Sequence, residues 1–332
     1  MVSQLPSCVG TDFDDDELVN AAVSLVAGDI DSALRLLALV RADPHRRELA
    51  FDVLGAAGNA VLPKLLDAAE EHRDDVDLLL LLGSAQSVAG WESRGAAGAN
   101  RTSEEQWTGL RRFSAAAHRT LQRAAELDPA DVQPWALMMS MAVAMPEYRR
   151  EAADVHDEVV RRVPDLFNAS FRRLHAACAK WYGSHEEMYG FARGAVEGLP
   201  DGHPMPALIP AAHIEMQVYL TWKTSFAVRM WQGVTRSYLK KQRAEVDAVS
   251  DRLLAGSDDH PRSPWAHQIF ADYYYRLFAT DRLAAHLARG GERASQWPWG
   301  YSGDAAAEFA RAHAWVARFQ DRWESRSARR TP

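Results

Sequence analysis

The amino-acid sequence predicts an all-α protein built from antiparallel pairs of helices, and three observations lead to this fold class. Apolar residues recur at the 3.6-residue period of a helix from Glu17 to Trp323. Helix-ending prolines stand at positions 129, 164 and 200, which are 35 and 36 residues apart. No stretch shows the alternation of apolar and polar residues between turns that a half-buried strand requires. We therefore expect a repeating helical architecture without a sheet.

Residues 1–16 are expected to form a loose acidic leader before the first helix. The segment from Asp12 to Glu17 contains the string D-x-D-D, which in a terpene cyclase would suggest a protonating cluster of carboxylates. Acidic residues directly before a helix instead complement the positive end of its dipole. We favour this second interpretation, because so short a motif has meaning only in its structural context.

Four or five amphipathic helices are predicted between Glu17 and about Ala89. Glycine and proline are the residues that most often end a helix, so each apolar stripe is expected to stop where they occur. These predicted stops are Gly28, Asp43-Pro44, Gly55 with Gly58, and Gly90.

Two stretches, 91–107 and 223–238, carry extra residues between predicted helices. Small residues occupy positions 95–100 of the first stretch, which has Trp91 and Trp107 at its edges, and the second contains Phe226 and Trp231. In a solenoid, insertions at matching positions emerge on one face, which is often the binding face. We expect residues 17–325 to form one continuous helical-repeat domain with these two insertions, followed by a basic tail at 326–332.

The stretch from Phe171 to Leu199 is predicted to form a helical hairpin that turns at Gly183-Ser184. Ser184 fits the N-cap position of the second helix, with its hydroxyl accepting from the N–H of Glu187. The carboxylate of Glu187 can reach back, which makes S-x-x-E a predicted capping box.

Two segments carry resemblances to known families. The pattern A-x-x-x-L-x-x-A-x-x-L-D-P between Phe113 and Trp135 resembles the second helix and boundary of a tetratricopeptide repeat, whose period is about 34 residues. The run from Lys180 to Arg193 resembles the K-W-x-G-S-x-E-x-M-x-x-F-A-R signature of a bacterial domain family without an assigned activity. That resemblance covers residues 110–260 and departs at Tyr182, where the family more often has glycine. It implies a tetratricopeptide-like α-solenoid and no mechanism.

Composition and charge exclude several kinds of partner. With 38 basic and 45 acidic side chains the formal charge is −7, so neither nucleic acid nor an anionic membrane is an expected partner. Cys8 and Cys178 form no disulfide framework, and the first residues do not resemble a signal peptide. A cytoplasmic location is the expectation. The sequence lacks C-x-x-C, H-E-x-x-H and glycine-rich phosphate loops, so neither a metal nor a cofactor is expected.

Ten residues around the predicted hairpin and the following helix are the candidate binding residues. On the following helix, Glu215, Tyr219 and Trp222 share one face, and a carboxylate among aromatic rings could serve as a general acid. The structural alternative is a hydrogen bond from Tyr219 or Trp222 to Glu215. The candidates are Lys180, Trp181, Tyr182, His185, Arg193, His213, Glu215, Tyr219, Trp222 and Trp231.

Function is predicted at the level of a class. We expect a protein or peptide segment to bind on a concave helical surface, as in an interaction or regulatory protein. The alternative is an enzyme or small-molecule binder with an aromatic-lined pocket around Glu215, Tyr219 and Trp222. Either way, the largest groove is expected near these residues, beside the 223–238 insertion. No catalytic residue can be named from the sequence.

Overall fold

A computed structural model describes residues 15–95, 101–181, 183–223 and 233–328 of the chain. Side chains are described for the same residues except 144, 146, 222–223, 233–235 and 320–328. Within these ranges every regular element is a helix and no strand occurs, which confirms the all-α class. The helices are α1 Asp16–Val26, α2 Ile30–Leu39, α3 Pro44–Asn59, α4 Leu62–Glu71, α5 Val76–Arg94, α6 Glu104–Leu127, α7 Gln133–Ala144, α8 Pro146–Arg149, α9 Ala152–Arg162, α10 Phe167–Ala177, α11 His185–Gly194, α12 Leu208–Lys223, α13 Gly233–Ala255, α14 Ser263–Leu277, α15 Thr280–Leu287, α16 Gln296–Trp299 and α17 Ala305–Ala328.

The chain divides into two compact units between Ala177 and Cys178. The boundary lies inside the predicted hairpin, whose first arm is α10 and whose second arm is α11. Unit 1 contains α1 to α10, and unit 2 contains the short turn at 179–181 and α11 to α17. One continuous array of repeats stays a prediction, and each unit is described by itself below.

The core of unit 1 is made by consecutive helices that pack side by side. Helix α5 packs against both α3 and α6, and α7 packs against α6, α9 and α10. One face of α7 contributes Met139 and Ala142 to a cluster completed by Val159 of α9 and Ala169 of α10, all buried. These neighbours bury the apolar stripes that the 3.6-residue period predicted.

The predicted stop at Gly90 is wrong, because α5 continues through it to Arg94. Gly55 and Gly58 do not end a helix either, so this predicted stop is also wrong. Helix α3 continues to Asn59, and both glycines lie inside it. A Cβ atom at Gly55 would stand 2.0 Å from Oγ of Ser84 on α5. The missing side chain therefore lets α3 and α5 approach closely, and this packing outweighs the poor intrinsic helix propensity of glycine.

An acidic residue stabilises the N-terminus of α1, as the sequence predicted. Asp15 is the N-cap of α1, and its Oδ1 accepts from the backbone N–H of Leu18 at 3.1 Å. Arg46 holds the same carboxylate through Nε at 2.8 Å. The carboxylate closest to α1 therefore acts as a helix cap, and residues 1–14 lie outside the described part.

A carboxylate from a distant part of the chain caps helix α10. Glu48 of α3 is buried, and its two carboxylate oxygens accept from the backbone N–H groups of Asn168 at 3.0 Å and Ala169 at 2.9 Å. Asp52, one turn further along α3, accepts from the side-chain amide of Asn168 at 2.7 Å. Two N–H groups that an isolated helix would leave unpaired are satisfied in this way.

The described ends of both predicted insertions are helical, since α5 reaches Arg94, α6 begins at Glu104, α12 reaches Lys223 and α13 begins at Gly233. Trp91 lies in α5 and Trp107 in α6, and both pack against the small cluster formed by buried Leu110 and Met145. Residues 96–100 and 224–232 lie outside the described ranges. Helical packing of Trp91 and Trp107 therefore accounts for the ends of the first stretch.

Unit 2 is organised around α12 and α14. Helix α12 packs against α11, α13 and α14, and α14 packs against α13 and α15. Tyr273 and Tyr274 of α14 are fully buried, and their hydroxyl groups donate to Leu239 O and Asp247 Oδ1, each at 2.7 Å. None of the described helices is by itself long and apolar enough to cross a membrane. Helices α3 and α4 reach the required length and apolar composition only when they are taken together, and the chain bends by 108° between them.

Ser184→Ala is expected to lower the free energy of unfolding by about 1 kcal/mol, because Ser184 caps α11. Its Oγ accepts from the N–H of Glu187 at 3.0 Å, which confirms the predicted N-cap. Urea denaturation followed by circular dichroism measures the change. The matched control is Ser237→Ala at an exposed position inside α13, which should not destabilise the protein. Equal stability of Ser184→Ala and the wild type would contradict the cap.

Candidate functional site

The predicted site residues fall into two clusters of unit 2. Lys180 and Glu215 meet in one cluster, and Arg193 and His213 meet in the other. His185 and Tyr219 contact each other edge to face, with ring centroids 4.6 Å apart. Tyr182, Trp231 and the side chain of Trp222 lie outside the described residues.

Lys180 and Glu215 form a buried ion pair. Nζ of Lys180 lies 2.6 Å from Oε2 of Glu215, and these side chains are only 8% and 1% exposed. Tyr301 Oη donates to Glu215 Oε1 at 2.5 Å, and Trp297 Nε1 donates to the same oxygen at 3.3 Å. Lys180 also contacts the hydroxyl of Tyr301 and lies 5.9 Å from the ring centre of Trp181. We call Lys180, Glu215, Trp297 and Tyr301 the ion-pair cluster.

The charges of the ion-pair cluster hold one another in place. Burial opposes the ammonium of Lys180, but the Glu215 carboxylate outweighs it and raises the pKa of Lys180. Burial, reinforced by Glu215, raises the pKa of Tyr301, which keeps its proton and donates. The Glu215 carboxylate therefore has a cation and two neutral donors around it. Such a carboxylate is suited to holding α12, the 179–181 turn and the 297–301 segment together.

A second cluster joins three helices of unit 2 through His213. Nδ1 of His213 on α12 lies 2.8 Å from Oη of Tyr238 and 3.2 Å from Oη of Tyr189. Its Nε2 lies 3.1 Å from Oε2 of Glu245 on α13. Arg193 of α11 donates to Glu245 through Nε at 2.7 Å. We call these five residues the tyrosine–histidine cluster.

Hydrogen-bond partners assign the protonation of the tyrosine–histidine cluster. Burial lowers the pKa of His213 despite the neighbouring Glu245, so the imidazole is neutral at pH 7. Its Nε2 carries the proton, because Glu245 can only accept there. Its Nδ1 then accepts from a tyrosine hydroxyl, and burial raises the pKa of Tyr238 to about 12. The cluster is thus a chain of satisfied donors and acceptors.

Four residues of unit 2 line up in a serine–histidine relay. Asp258 Oδ1 lies 2.8 Å from Nε2 of His267, and Nδ1 of His267 lies 2.8 Å from Nδ1 of His286. Nε2 of His286 lies 2.8 Å from Oγ of Ser250. Arg282 Nη1 approaches the same Oγ at 3.3 Å.

The relay has the carboxylate–histidine–serine order that activates a nucleophilic serine, with a second histidine between the first histidine and the serine. If Asp258 accepts from His267, then His286 donates to His267 and Ser250 donates to His286. Burial lowers the pKa of both histidines, so both are neutral at pH 7. Ser250, His267 and His286 are fully buried, however, and the hydroxyl is closed to a substrate in this arrangement. The relay therefore acts as a buried polar network.

Unit 1 contains a charged cleft of about 270 Å³ where several helix ends meet. Arg41 follows α2, Asp128 and Asp131 lie between α6 and α7, and Arg162 ends α9. A further cavity of about 420 Å³ lies beside α6 and is lined by Ser93, Glu105, Gln106, Thr108, Gly109 and Arg112. The charged cleft is lined by Arg41, Pro44, Arg47, Asp128, Ala130, Asp131, Val132, Gln133, Arg162 and Val163.

Arg47 holds the floor of the charged cleft. It is only 2% exposed, and its Nη2 donates to Asp77 at 2.6 Å and to Asp131 at 2.8 Å. Its Nη1 donates to the carbonyl oxygen of Leu37 at 3.0 Å. Arg162 holds the loop between α6 and α7 by donating to Pro129 O through Nε at 3.0 Å and Nη2 at 2.6 Å.

The mouth of the charged cleft is an exposed ion pair. Nη2 of Arg41 donates to Oδ2 of Asp128 at 2.7 Å, and their side chains are 50% and 29% exposed. Exposed pairs contribute only about 0–1 kcal/mol, so this one can open at little cost. The cleft therefore offers an accessible cation and an accessible anion above a fixed floor.

The residues that line the charged cleft were not predicted from the sequence, although two predicted repeat boundaries lie next to them. Pro129 and Pro164 had been identified as repeat boundaries, and the cleft lies where these boundaries meet the start of α3. The spacing of the prolines could not reveal the contact between Arg47 and Asp131, because these two residues are 84 positions apart in the sequence.

No family model matches the chain, and no curated protein does. Within the described residues, no three His, Cys, Asp or Glu side chains come together as a metal site.

Proposed function

We propose that this protein is a cytoplasmic, tetratricopeptide-like helical-repeat protein that binds a peptide or protein segment, and that the charged cleft is a contact point. The observation that carries the proposal is the exposed Arg41–Asp128 pair above the buried Arg47. The spacing of 35 and 36 residues between Pro129, Pro164 and Pro200 supports the repeat, as does the resemblance between 180 and 193.

A peptide suits the cleft because it can carry charges of both signs. A ligand carboxylate can replace Asp128 on Arg41, while a ligand ammonium or guanidinium replaces Arg41 on Asp128. Both charges stay paired in this exchange, so little electrostatic energy is lost. A cavity of about 270 Å³ has room for only a short segment, so the remaining peptide would extend beyond it.

An enzyme or small-molecule site around Glu215, Tyr219 and Trp222 has less support. A general acid needs a carboxyl group that can hold and release a proton at the substrate. Lys180, Tyr301 and Trp297 already engage the Glu215 carboxylate.

Selection from a displayed library of random twelve-residue peptides tests the proposal. Peptides that carry both an acidic and a basic residue should be enriched on the wild-type protein. Arg41→Glu should weaken their binding about tenfold in fluorescence polarisation, because it replaces the accessible cation with an anion.

The matched control is Arg35→Glu on α2, an exposed arginine outside the cleft lining. Exchanging the pair, as in Arg41→Asp combined with Asp128→Arg, should keep the fold and recover part of the binding. The proposal is overturned if no peptide is enriched, or if Arg41→Glu and Arg35→Glu bind the selected peptides equally well.

A further inference from the structure

Three aromatic side chains of unit 2 are exposed at the end of α14 and on α17. Phe278 directly follows α14, and Trp315 and Phe319 stand one turn apart on α17. The rings of Phe278 and Trp315 stack with their centroids 4.9 Å apart. The three residues are 43%, 39% and 45% exposed, and exposed groups of large apolar side chains mark interaction sites. We call these three residues the aromatic patch.

The backbone at Phe278 has a conformation that favours glycine. Its φ of 56° and ψ of 32° lie in the left-handed region, at the position after a helix that glycine most often occupies. A bulky side chain costs free energy there, and no other non-glycine residue among those described has a positive φ. Because the ring stays largely exposed, packing within the chain recovers only part of this cost. A contact with a partner explains a phenylalanine at this position better than stability of the fold does.

Two arginines border the aromatic patch. Cζ of Arg236 on α13 lies 4.2 Å from the ring centre of Phe278. Arg318 is exposed and stands three residues after Trp315 on α17. Among the described residues, neither guanidinium forms an ion pair with a carboxylate. A guanidinium that lies over an aromatic ring keeps the N–H groups at its edge free to donate to a carboxylate.

These rings and cations together indicate an acidic segment that carries an aromatic or large aliphatic side chain. Exposed ring surface favours an apolar group, and each arginine can pair with a carboxylate through two N–H donors. Nucleic acid also offers rings and anions. It extends well beyond the patch, however, and the formal charge of −7 opposes a long polyanion over the rest of the surface.

We propose that the aromatic patch and its two arginines bind an acidic peptide segment through one aromatic or large aliphatic side chain. That side chain packs on the exposed rings, and the flanking carboxylates pair with Arg236 and Arg318. This surface shares no residue with the charged cleft of unit 1, so the inference goes beyond the proposed function. Either can therefore fail while the other holds.

Fluorescence polarisation of the full chain with labelled peptides tests the inference. The probes are Gly-Glu-Asp-X-Asp-Glu-Gly peptides with Phe, Trp or Leu at X. One set of control peptides carries Ser at X, and a second set carries Lys in place of every acidic residue. At least one probe should bind about tenfold more tightly than both of its controls, and its affinity should fall as the salt concentration rises. Failure of every probe to bind at about 0.5 mM protein overturns the inference.

Two variants test the assignment to the aromatic patch. Glycine suits the left-handed conformation, so Phe278→Gly should keep the helical circular dichroism of the wild type and bind the probe about tenfold more weakly. Arg236→Glu should weaken binding to a similar extent, and it decides the question if Phe278→Gly does not fold. The matched controls are Leu39→Ser and Arg35→Glu at exposed positions of α2, which should bind like the wild type. Unchanged binding by either test variant overturns the inference.

Three other occupants of the aromatic patch are outcomes of the same test. Light scattering after gel filtration detects a second copy of the chain, sedimentation with phosphatidylserine vesicles detects a membrane, and labelled oligouridylate detects single-stranded RNA. If Phe278→Gly abolishes one of these interactions while the acidic probes do not bind, the patch belongs to that partner and the inference is overturned. Arg41→Glu should bind the acidic probes like the wild type, which separates this surface from the charged cleft.

Discussion

Lys180→Met should lower the free energy of unfolding by about 3–5 kcal/mol, because it leaves the Glu215 carboxylate buried without its cation. The two side chains are almost fully buried, and 2.6 Å separates Nζ from Oε2. Tyr301 and Trp297 are neutral donors and cannot replace the lost charge. Urea denaturation followed by circular dichroism measures the loss.

A second variant separates the charge effect from lost packing. Lys180→Met combined with Glu215→Gln removes both charges and keeps an oxygen that accepts from Tyr301 and Trp297. The double variant should therefore recover at least half of the loss. Lys241→Met, at an exposed lysine of α13, should change stability by less than about 0.5 kcal/mol. A loss below about 1 kcal/mol for Lys180→Met would show that the pair is not buried and charged as described.

Acidification from pH 7 to pH 4 should cost about 3 kcal/mol of stability through His156 alone. Burial, with a smaller contribution from Arg173, lowers the pKa of His156 from 6.5 to about 4. The unfolded chain takes up this proton below pH 6.5, whereas the folded protein resists it. The stabilisation is therefore fully present above pH 6.5, is lost as the pH falls, and levels off below pH 4.

Unfolding free energies measured in urea at steps from pH 7.5 to 4 test this dependence. His156→Leu removes the titrating group, so the variant should lose about 3 kcal/mol less than the wild type over that interval. The buried His267 and His286 of unit 2 act in the same direction and should remain visible in the variant. His72→Gln, at an exposed position, is the control and should keep the wild-type profile. Parallel profiles for wild type and His156→Leu would exclude His156 as the source.

Helices could be predicted from the sequence because their determinants are local. Asp15 caps α1 and Ser184 caps α11, and in both cases the cap and the N–H that it accepts from are three residues apart. Gly55 was misread as a stop because the residue that needs its small size, Ser84, belongs to another helix. Local propensity carries no information about such a neighbour.

The candidate sites could be predicted only in part, and for the same reason. Glu215 was selected for its aromatic neighbours on α12, but the partners that engage it, Tyr301 and Trp297, stand 86 and 82 residues away. Gln133 and Arg47 attract no attention in the sequence, since each becomes unusual only when the surrounding helices leave one of its atoms unpaired.

The Glu48 cap on α10 has a consequence for synthesis on the ribosome. The chain leaves the ribosome from its N-terminus, so α3 is available about 120 residues before the start of α10 is made. The N–H groups of Asn168 and Ala169 can therefore meet a carboxylate that is already in place. A nascent chain that ends after α10 would contain every residue of this contact. A chain shortened from its N-terminal side past α3 would make α10 without its cap.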